Sequence, residues 1–471
     1  MVRTWTVLTI LLVASAGWQA SAQRADRVQR LDRMDRVQDR IVARERLTDR
    51  VIADRVRDRV ITDADRVRTV TDVADVADRD RAPEEVRPIT DAEIAPAIVD
   101  SVATEGADQA DAAVILLDPF GDRIRRGEVL ALNPSAEALS ELSRRNLRSV
   151  RQRELSDDAV LHVFRSARAI NLVELLDALR SMDPAGLYTP NHVFAAKGAP
   201  ASQESTPRDE FAPAGAAELS AMSCNIGLID GPLSALPEKF GPAIVRSQRF
   251  ETGPQSDSWH GAAVAYRLID VADRVRPSQS VRVCAADVFS DGAGEAITAD
   301  ALVAAMSWQM AEGVSLVNAS LAGPHNEIVA WNVERFVRSG GTLVAAVGNG
   351  GPLGRQIYPA AYEGVIGVTA IDASDEIYPQ ATRGSHVDIA ARGVDLDYAP
   401  IGLAAPVSGT SFAAPVVSAW AMSHDGVINV AAFGLEDLGT PGPDPRFGHG
   451  VLRVPETPRL QLVAEQSDLV R

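Results

Sequence analysis

The sequence predicts an α/β protein whose main part, residues 221–455, is a doubly wound and mostly parallel sheet. Two observations lead to this fold class. From residue 221 onward, short apolar runs alternate with longer segments of helical periodicity. Parallel strands read as continuous apolar runs because helices cover both faces of their sheet. Several of these runs also end in a glycine or a polar side chain, and functional groups in such sheets collect beyond the carboxyl ends of the strands.

The elements of this main part follow from the same alternation. The predicted strands are residues 225–230, 281–289, 314–320, 342–347 and 365–370. The predicted helices are residues 261–272, 299–312, 328–339 and 413–423. Residues 456–471 are assigned to a C-terminal tail.

The first 22 residues are interpreted as a signal peptide. Arg3 precedes an apolar stretch over residues 7–16, and Ala20-Ser21-Ala22 is a small-residue cleavage pattern. An uncleaved membrane anchor is the alternative, although the apolar stretch is short for a span. We therefore expect a secreted or periplasmic protein whose mature form has no membrane span. The formal net charge of -17 argues against nucleic acid as a partner, because phosphate binding requires clustered positive charge.

Residues 23–95 combine a low-complexity tract with a linker. The unit Asp-Arg-Val recurs along residues 26–67, without aromatic residues or glycines. Apolar residues return every three to five positions, which suits a charged helix with a thin apolar stripe. A solvated, disordered spacer is the other reading of this composition. Neither reading gives the tract catalytic chemistry.

Residues 96–200 look like a small α/β domain that precedes the main part. Runs at 113–117 and 160–164 are strand-like, and residues 136–148 and 169–182 are helix-like. Residues 201–220 are rich in Ala, Pro, Ser and Gly. That composition predicts a flexible linker open to proteases.

Four polar residues follow apolar runs or open helices in the main part. Asp230 ends the run 225–230, and His260 opens a helix built from small residues. Asn349 emerges from a glycine-rich turn, and Ser411 stands at the mouth of an alanine-rich helix. Each has an ordinary structural explanation: a turn aspartate, a structural histidine, a loop asparagine and a helix cap. Together, at one edge of one sheet, they indicate a catalytic site.

The residues around these positions resemble the subtilase family of subtilisin-like serine peptidases. The run Gly409-Thr410-Ser411-Phe412-Ala413-Ala414-Pro415 matches the family's G-T-S-x-A-x-P motif. His260-Gly261, with Val264-Ala265, resembles its histidine motif, and the order Asp, His, Ser is that of subtilisin.

The resemblance implies a role for each site residue. Asp230, His260 and Ser411 would form the catalytic triad of a serine endopeptidase, and Asn349 would donate to the oxyanion. Five residues would line the substrate cleft: Ala319, Ser320, Leu321, Ala322 and Gly323. The substrates would be proteins or peptides, bound as an added strand. The alternative is an inactive envelope or binding protein of the same fold that acts through its repeat tract.

The resemblance also implies a maturation step and a possible disulfide. Residues 96–200 would be a propeptide that binds its own enzyme and is cut off somewhere within residues 194–220; a permanent accessory domain is the alternative. Cys224 and Cys284 would lie on neighbouring strands, where a bridge is feasible, and two buried thiols are the other possibility. No cofactor or metal site is expected with certainty. Relatives often bind calcium, but no acidic loop locates a calcium site.

Overall fold

A computed structural model describes residues 115–196, 223–251, 256–290, 296–424, 430 and 434–455. These residues belong to one compact unit, Ile98–Arg471. The predicted signal peptide, repeat tract, linker 201–220 and C-terminal tail lie outside the described residues. We refer below to residues 115–196 as the N-terminal region and to residues 223–455 as the main domain.

The N-terminal region is an antiparallel sheet with two helices on one face. Its strands are β1 (Ile115–Leu117), β2 (Arg123–Leu132), β3 (Leu147–Ser156), β4 (Ala159–Ser166) and β5 (Leu187–Ala195). Its helices are α1 (Ala136–Arg144) and α2 (Leu172–Met182). The strand order is β3-β4-β2-β5, and β1 pairs with β2. The side chains of Ser135 and Asn171 cap the two helices by accepting backbone N–H bonds.

Strand β2 shows why this sheet is covered on both faces. Val129 and Ala131 pack with α1 and α2, whereas Leu130 and Leu132 join an apolar cluster of the main domain. Because side chains alternate along a strand, this pattern requires a partner on each face. The sequence did not predict β2 and β3, whose arginines and glutamates obscure the apolar alternation. It did not predict β5 either, where a proline and polar residues interrupt the apolar run.

The main domain is a seven-stranded parallel sheet with helices on both faces, which confirms the predicted fold class. Its strands are β6 (Ile226–Asp230), β7 (Ile244–Arg249), β8 (Val283–Asp287), β10 (Leu316–Ala319), β11 (Thr342–Ala346), β12 (Val365–Ile371) and β13 (Ile389–Arg392). They follow the order β13-β12-β11-β10-β6-β8-β7. The edge strands β7 and β13 were not predicted, because they are short and carry arginines.

Four helices pack on this sheet: α3 (His260–Val275), α4 (Ala299–Ala311), α5 (Glu327–Arg338) and α6 (Thr410–Met422). The buried side chains of α3 and α6 share one apolar cluster, and those of α4 and α5 share the other. A short strand, β9 (Ala296–Thr298), lies outside the main sheet and pairs with β5 of the N-terminal region. The two parts of the chain therefore share a β-ladder as well as an apolar surface.

Within the part of the chain that the structure describes, none of the helices has the length and apolar character needed to cross a membrane.

Candidate active site

A carboxylate and an imidazole meet where β6 ends and α3 begins. His260 Nδ1 lies 2.7 Å from Asp230 Oδ1, and the same oxygen accepts the Gly231 N–H at 2.8 Å. A Cβ on Gly261 would lie 2.2 Å from the Gly231 carbonyl oxygen. Only a glycine therefore lets the start of α3 come this close to the end of β6. Because a carboxylate oxygen accepts, Nδ1 carries the proton, and Nε2 is the nitrogen that can act as a base.

Aromatic side chains enclose this pair. The ring centroids of Phe412 and Phe289 lie 5.6 Å and 6.0 Å from that of His260, and the ring of Trp259 lies 6.4 Å away. His260 and Asp230 are fully buried or nearly so. Charges interact more strongly in such a water-poor environment than in solvent.

Ser411 lies at the second position of α6, next to Phe412. It is buried, and its hydroxyl donates to the Ser320 carbonyl oxygen at 3.3 Å. The first N–H groups of a helix have no partner within the helix and form its positive end. The Ser411 N–H is one of these groups, so the helix start supplies an oriented donor beside the hydroxyl.

The helix begins at Thr410, three residues before the predicted start, so Pro415 lies inside α6 and not in its first turn. An N–H at position 415 would have bonded to the Ser411 carbonyl. The Ser320 hydroxyl bonds to that carbonyl instead, at 2.9 Å. Ser320 thus contacts Ser411 twice, at its hydroxyl and at its carbonyl, and so ties the cleft strand to the helix.

Asn349 follows β11 in a glycine-rich turn, and α6 fixes the orientation of its amide. Its Oδ1 accepts from the Thr410 N–H at 3.1 Å and from the Thr410 hydroxyl at 3.0 Å. With the oxygen held this way, the amide nitrogen is the donor that Asn349 can offer to a ligand. The sequence analysis assigned no role to Thr410, although this residue lies within the serine motif.

Comparison with known proteins shows which family this chain resembles. A profile described as "Subtilase family" matches residues 244–423. Subtilisin DY from Bacillus licheniformis is 29% identical over 203 residues, which cover 41% of this chain and 73% of that protein. Over these residues the chain is similar to subtilisin-like serine peptidases. The matches support a hydrolase of the serine-type endopeptidase class.

Two further comparisons show how much of the chain this similarity covers. Subtilisin amylosacchariticus from Bacillus subtilis subsp. amylosacchariticus is 30% identical, with 40% of this chain and 51% of that protein covered. The chain thus spans about half the length of several relatives that it matches. The crystal structure of fervidolysin from Fervidobacterium pennivorans superposes with a TM-score of 0.53 at 18% identity, covering 70% of this chain and 60% of that one. This superposition supports the subtilase fold.

The predicted cleft residues of this chain border a strand that comes from its own N-terminal region. Ala195 and Ala322 exchange two backbone hydrogen bonds, of 2.9 Å and 3.0 Å. On its other side, β5 pairs with β9. The fully buried ring of Phe194 lies over Gly323, where a Cβ would come within 2.3 Å of it. The end of β5 therefore occupies the place of an added strand.

Buried charges join the N-terminal region to the main domain. Asp300, in the first turn of α4, pairs with Arg151 and, at 3.4 Å, with Arg153. Burial by itself raises the pKa of Asp300, but the two arginines, together with hydrogen bonds from Asn191 and Thr298, outweigh it and hold that pKa below its usual range. Glu251 pairs with Arg125 at 3.2 Å. Burial raises the pKa of Glu251, and Arg125 opposes the increase.

A histidine and an asparagine form a neutral contact at the same surface. Asn326 caps α5, because its Oδ1 accepts the N–H groups of Ile328 and Val329 at 3.1 Å. Its amide nitrogen is therefore the donor to His192 Nδ1, at 3.0 Å. His192 Nε2 lies 3.5 Å from the Asp118 carboxylate. Burial lowers the pKa of His192, and Asp118 only partly offsets the effect.

Two remaining predictions concern the cysteines and metal ions. Cys224 and Cys284 are joined in a disulfide, with a Cα–Cα distance of 5.7 Å. Cys284 lies in β8 and Cys224 just before β6, on neighbouring strands. Among the residues that the structure describes, no group of three His, Cys, Asp or Glu side chains could hold a metal ion.

Proposed function

We propose that this chain is a secreted serine endopeptidase that cuts peptide bonds through an acyl-enzyme on Ser411. The observation that supports this most directly is the buried contact between Asp230 and His260, 2.7 Å long, at the edge of the sheet where α6 presents Ser411. An aspartate that only forms a turn, or a histidine with only a structural role, would not require this contact. The family match covers His260, Asn349 and Ser411, and Asp230 is added by its contact.

The proposed mechanism is acyl transfer. His260 Nε2 takes the hydroxyl proton as Ser411 Oγ attacks the substrate carbonyl, and the proton then goes to the leaving amine. Asp230 holds the imidazole in the required tautomer and stabilises its cation. Water then attacks the acyl-enzyme while His260 again takes and returns the proton. This second half releases the acid and restores the serine. The Asn349 amide and the Ser411 N–H stabilise the oxyanion in both halves.

We propose that the N-terminal region is a propeptide that inhibits the enzyme before it is cut off. The end of β5 fills the strand position beside residues 320–323, so a substrate strand cannot enter. The Ala195–Ala322 pair lies two residues along the cleft strand from Ser320, whose carbonyl accepts from the Ser411 hydroxyl. The described end of β5 therefore leads towards the serine, and we propose that the cut falls within residues 194–220.

Secretion is proposed from the predicted signal peptide and from the disulfide. A structural disulfide is stable in the oxidising compartments outside the cytoplasm. The alternative function is that of an inactive envelope or binding protein. No contact among the described residues supports it.

The experiment that tests this function compares the purified full chain with its Ser411→Ala variant. The unmodified chain is expected to hydrolyse a chromogenic peptide amide and to acquire a new N-terminus within residues 194–220. The variant is expected to do neither and to remain one uncut chain. A properly folded unmodified chain that shows no hydrolysis would support the inactive alternative. Hydrolysis by a chain that is still joined to residues 115–196 would refute the propeptide proposal alone.

A further inference from the structure

A second buried carboxylate, Asp287, stands beside the catalytic pair. Asp287 ends β8 and is the register partner of Asp230 at the end of β6. Partners on neighbouring strands lie about 5 Å apart between backbones, and in a parallel pair their side chains share one face of the sheet. Asp287 is 7% exposed. A carboxylate that is buried next to another carboxylate is costly unless it serves the fold or the site.

A short chain of contacts leads from this carboxylate to the catalytic imidazole. Asp287 Oδ1 accepts the Phe289 N–H at 3.1 Å and thereby fixes the turn that follows β8. The fully buried Phe289 ring packs over Gly231, where a Cβ would lie 2.7 Å from it, and its centroid is 6.0 Å from that of His260. The Val288 N–H donates to the Asp230 carbonyl at 2.9 Å. The turn therefore contacts both members of the pair.

We propose that Asp287 is a positioning residue of the catalytic site, which holds Phe289 against His260 and places a second negative charge beside the Asp230–His260 pair. This inference rests on the proposed function. It assigns Asp287 no proton transfer and no contact with substrate.

The charged groups around Asp287 determine when that second charge is present. Burial raises the pKa of Asp287 to about 6. The Phe289 N–H and Arg249, whose Nε lies 3.8 Å from Oδ2, oppose the increase, whereas Asp230 and Glu251 add to it. Asp287 is therefore ionised at neutral pH, and it becomes protonated as the pH falls through about 6. While ionised, it favours the protonated imidazole.

The test compares two substitutions that separate charge from hydrogen bonding. Asp287→Asn keeps an oxygen acceptor for the Phe289 N–H and removes the charge. The acid limb of kcat/KM should then move to lower pH by about half a unit, the scale of a screened Coulomb interaction over several ångströms. KM should stay unchanged. Asp287→Ala should show the same shift together with a further fall in kcat, because Phe289 loses its tether. Asp287→Glu should return the limb towards its original position.

A control comes from another carboxylate, which is half-buried. Asp388, just before the edge strand β13, accepts one backbone N–H from Gly367 at 2.7 Å, and burial raises its pKa. Asp388→Asn should leave the acid limb in place. The profiles are measured with a chromogenic peptide amide on the matured full chain.

The outcomes separate this inference from the proposed function. An Asp287→Asn profile that superimposes on the unmodified one, or that moves to higher pH, overturns the inference and leaves the function intact. An unmodified chain without hydrolysis overturns both. If Asp287→Asn does not fold, Asp287→Ser provides the neutral variant with an acceptor, and the same shift is required of it.

Discussion

The catalytic centre and the surface between the N-terminal region and the main domain are built on different principles. The centre depends on few contacts of fixed geometry, such as those between Asp230 and His260 and between Asn349 and Thr410. Each closes within elements of the main domain. The surface between the two parts uses several ion pairs, and in those of Asp300 and Glu251 the arginines belong to the N-terminal region.

This difference indicates which region has to survive maturation. Removing the N-terminal region leaves these contacts of the candidate catalytic centre in place. The same step leaves Asp300 and Glu251 without their arginines, and uncompensated carboxylates must then be solvated or protonated. Under the proposed maturation, the contacts of the centre would persist, whereas the ion pairs would be broken once.

Asp230→Asn should have the largest effect, because it changes the fixed contact of the catalytic centre. The amide cannot favour the tautomer with a proton on Nδ1, and it cannot stabilise the imidazole cation. We expect kcat to fall by about 10⁴-fold, as in serine peptidases generally. Steady-state kinetics at pH 8 measure the loss. A fall below tenfold would mean that the Asp230 contact is not catalytic.

Asn349→Ala should reduce kcat by about 100- to 1,000-fold, the loss that removal of the corresponding donor causes in subtilisin. KM should change little, because the oxyanion exists only in the transition state. Thr410→Val removes one of the two bonds that orient this amide, so a smaller loss of about tenfold is expected. If Thr410→Val has no effect while Asn349→Ala does, the orienting role of Thr410 is wrong.

Asp300→Asn tests the other side of the comparison, in the uncut Ser411→Ala chain. Breaking a buried ion pair costs about 3–5 kcal/mol, which corresponds to a fall in Tm of roughly 5–10 °C. The control is Glu327→Gln, since the Arg180–Glu327 pair lies on the same surface with 42% and 44% of its side chains exposed. Such exposed pairs contribute little, so Tm should hardly move. Equal shifts in both variants would contradict our account of the ion pairs.

The sequence carries more information about the candidate site than about the surface between the two parts. Asp230, His260, Asn349 and Ser411 lie in short local motifs at strand and helix ends, which the pattern of a parallel sheet exposes. Arg151 and Asp300 are 149 residues apart in the chain. Their meeting depends on how β3 packs on α4, which no local pattern encodes. Thr410 was missed for a similar reason, because its role appears only when α6 meets the turn after β11.

The smallest predicted effect is a pH dependence that comes from His192. While the N-terminal region is bound to the main domain, burial lowers the pKa of this histidine and keeps it neutral. After the two parts separate, the histidine would titrate near 6.5. The docked state therefore binds fewer protons, and its stability declines as the pH falls below about 6.5. In the Ser411→Ala chain, the Tm advantage over a His192→Gln variant should shrink by roughly 2 °C between pH 8 and pH 5. A constant advantage would contradict this prediction.

Covalent labelling with a fluorophosphonate probe tests the central claim most directly, because the probe reacts with a serine hydroxyl only when a base activates it. The matured chain is treated with the probe, and mass spectrometry locates the modified residue. Our account predicts labelling at Ser411 that disappears in His260→Ala and is strongly slowed in Asp230→Asn. Labelling at another serine, or labelling of Ser411 that is undiminished in His260→Ala, would contradict it.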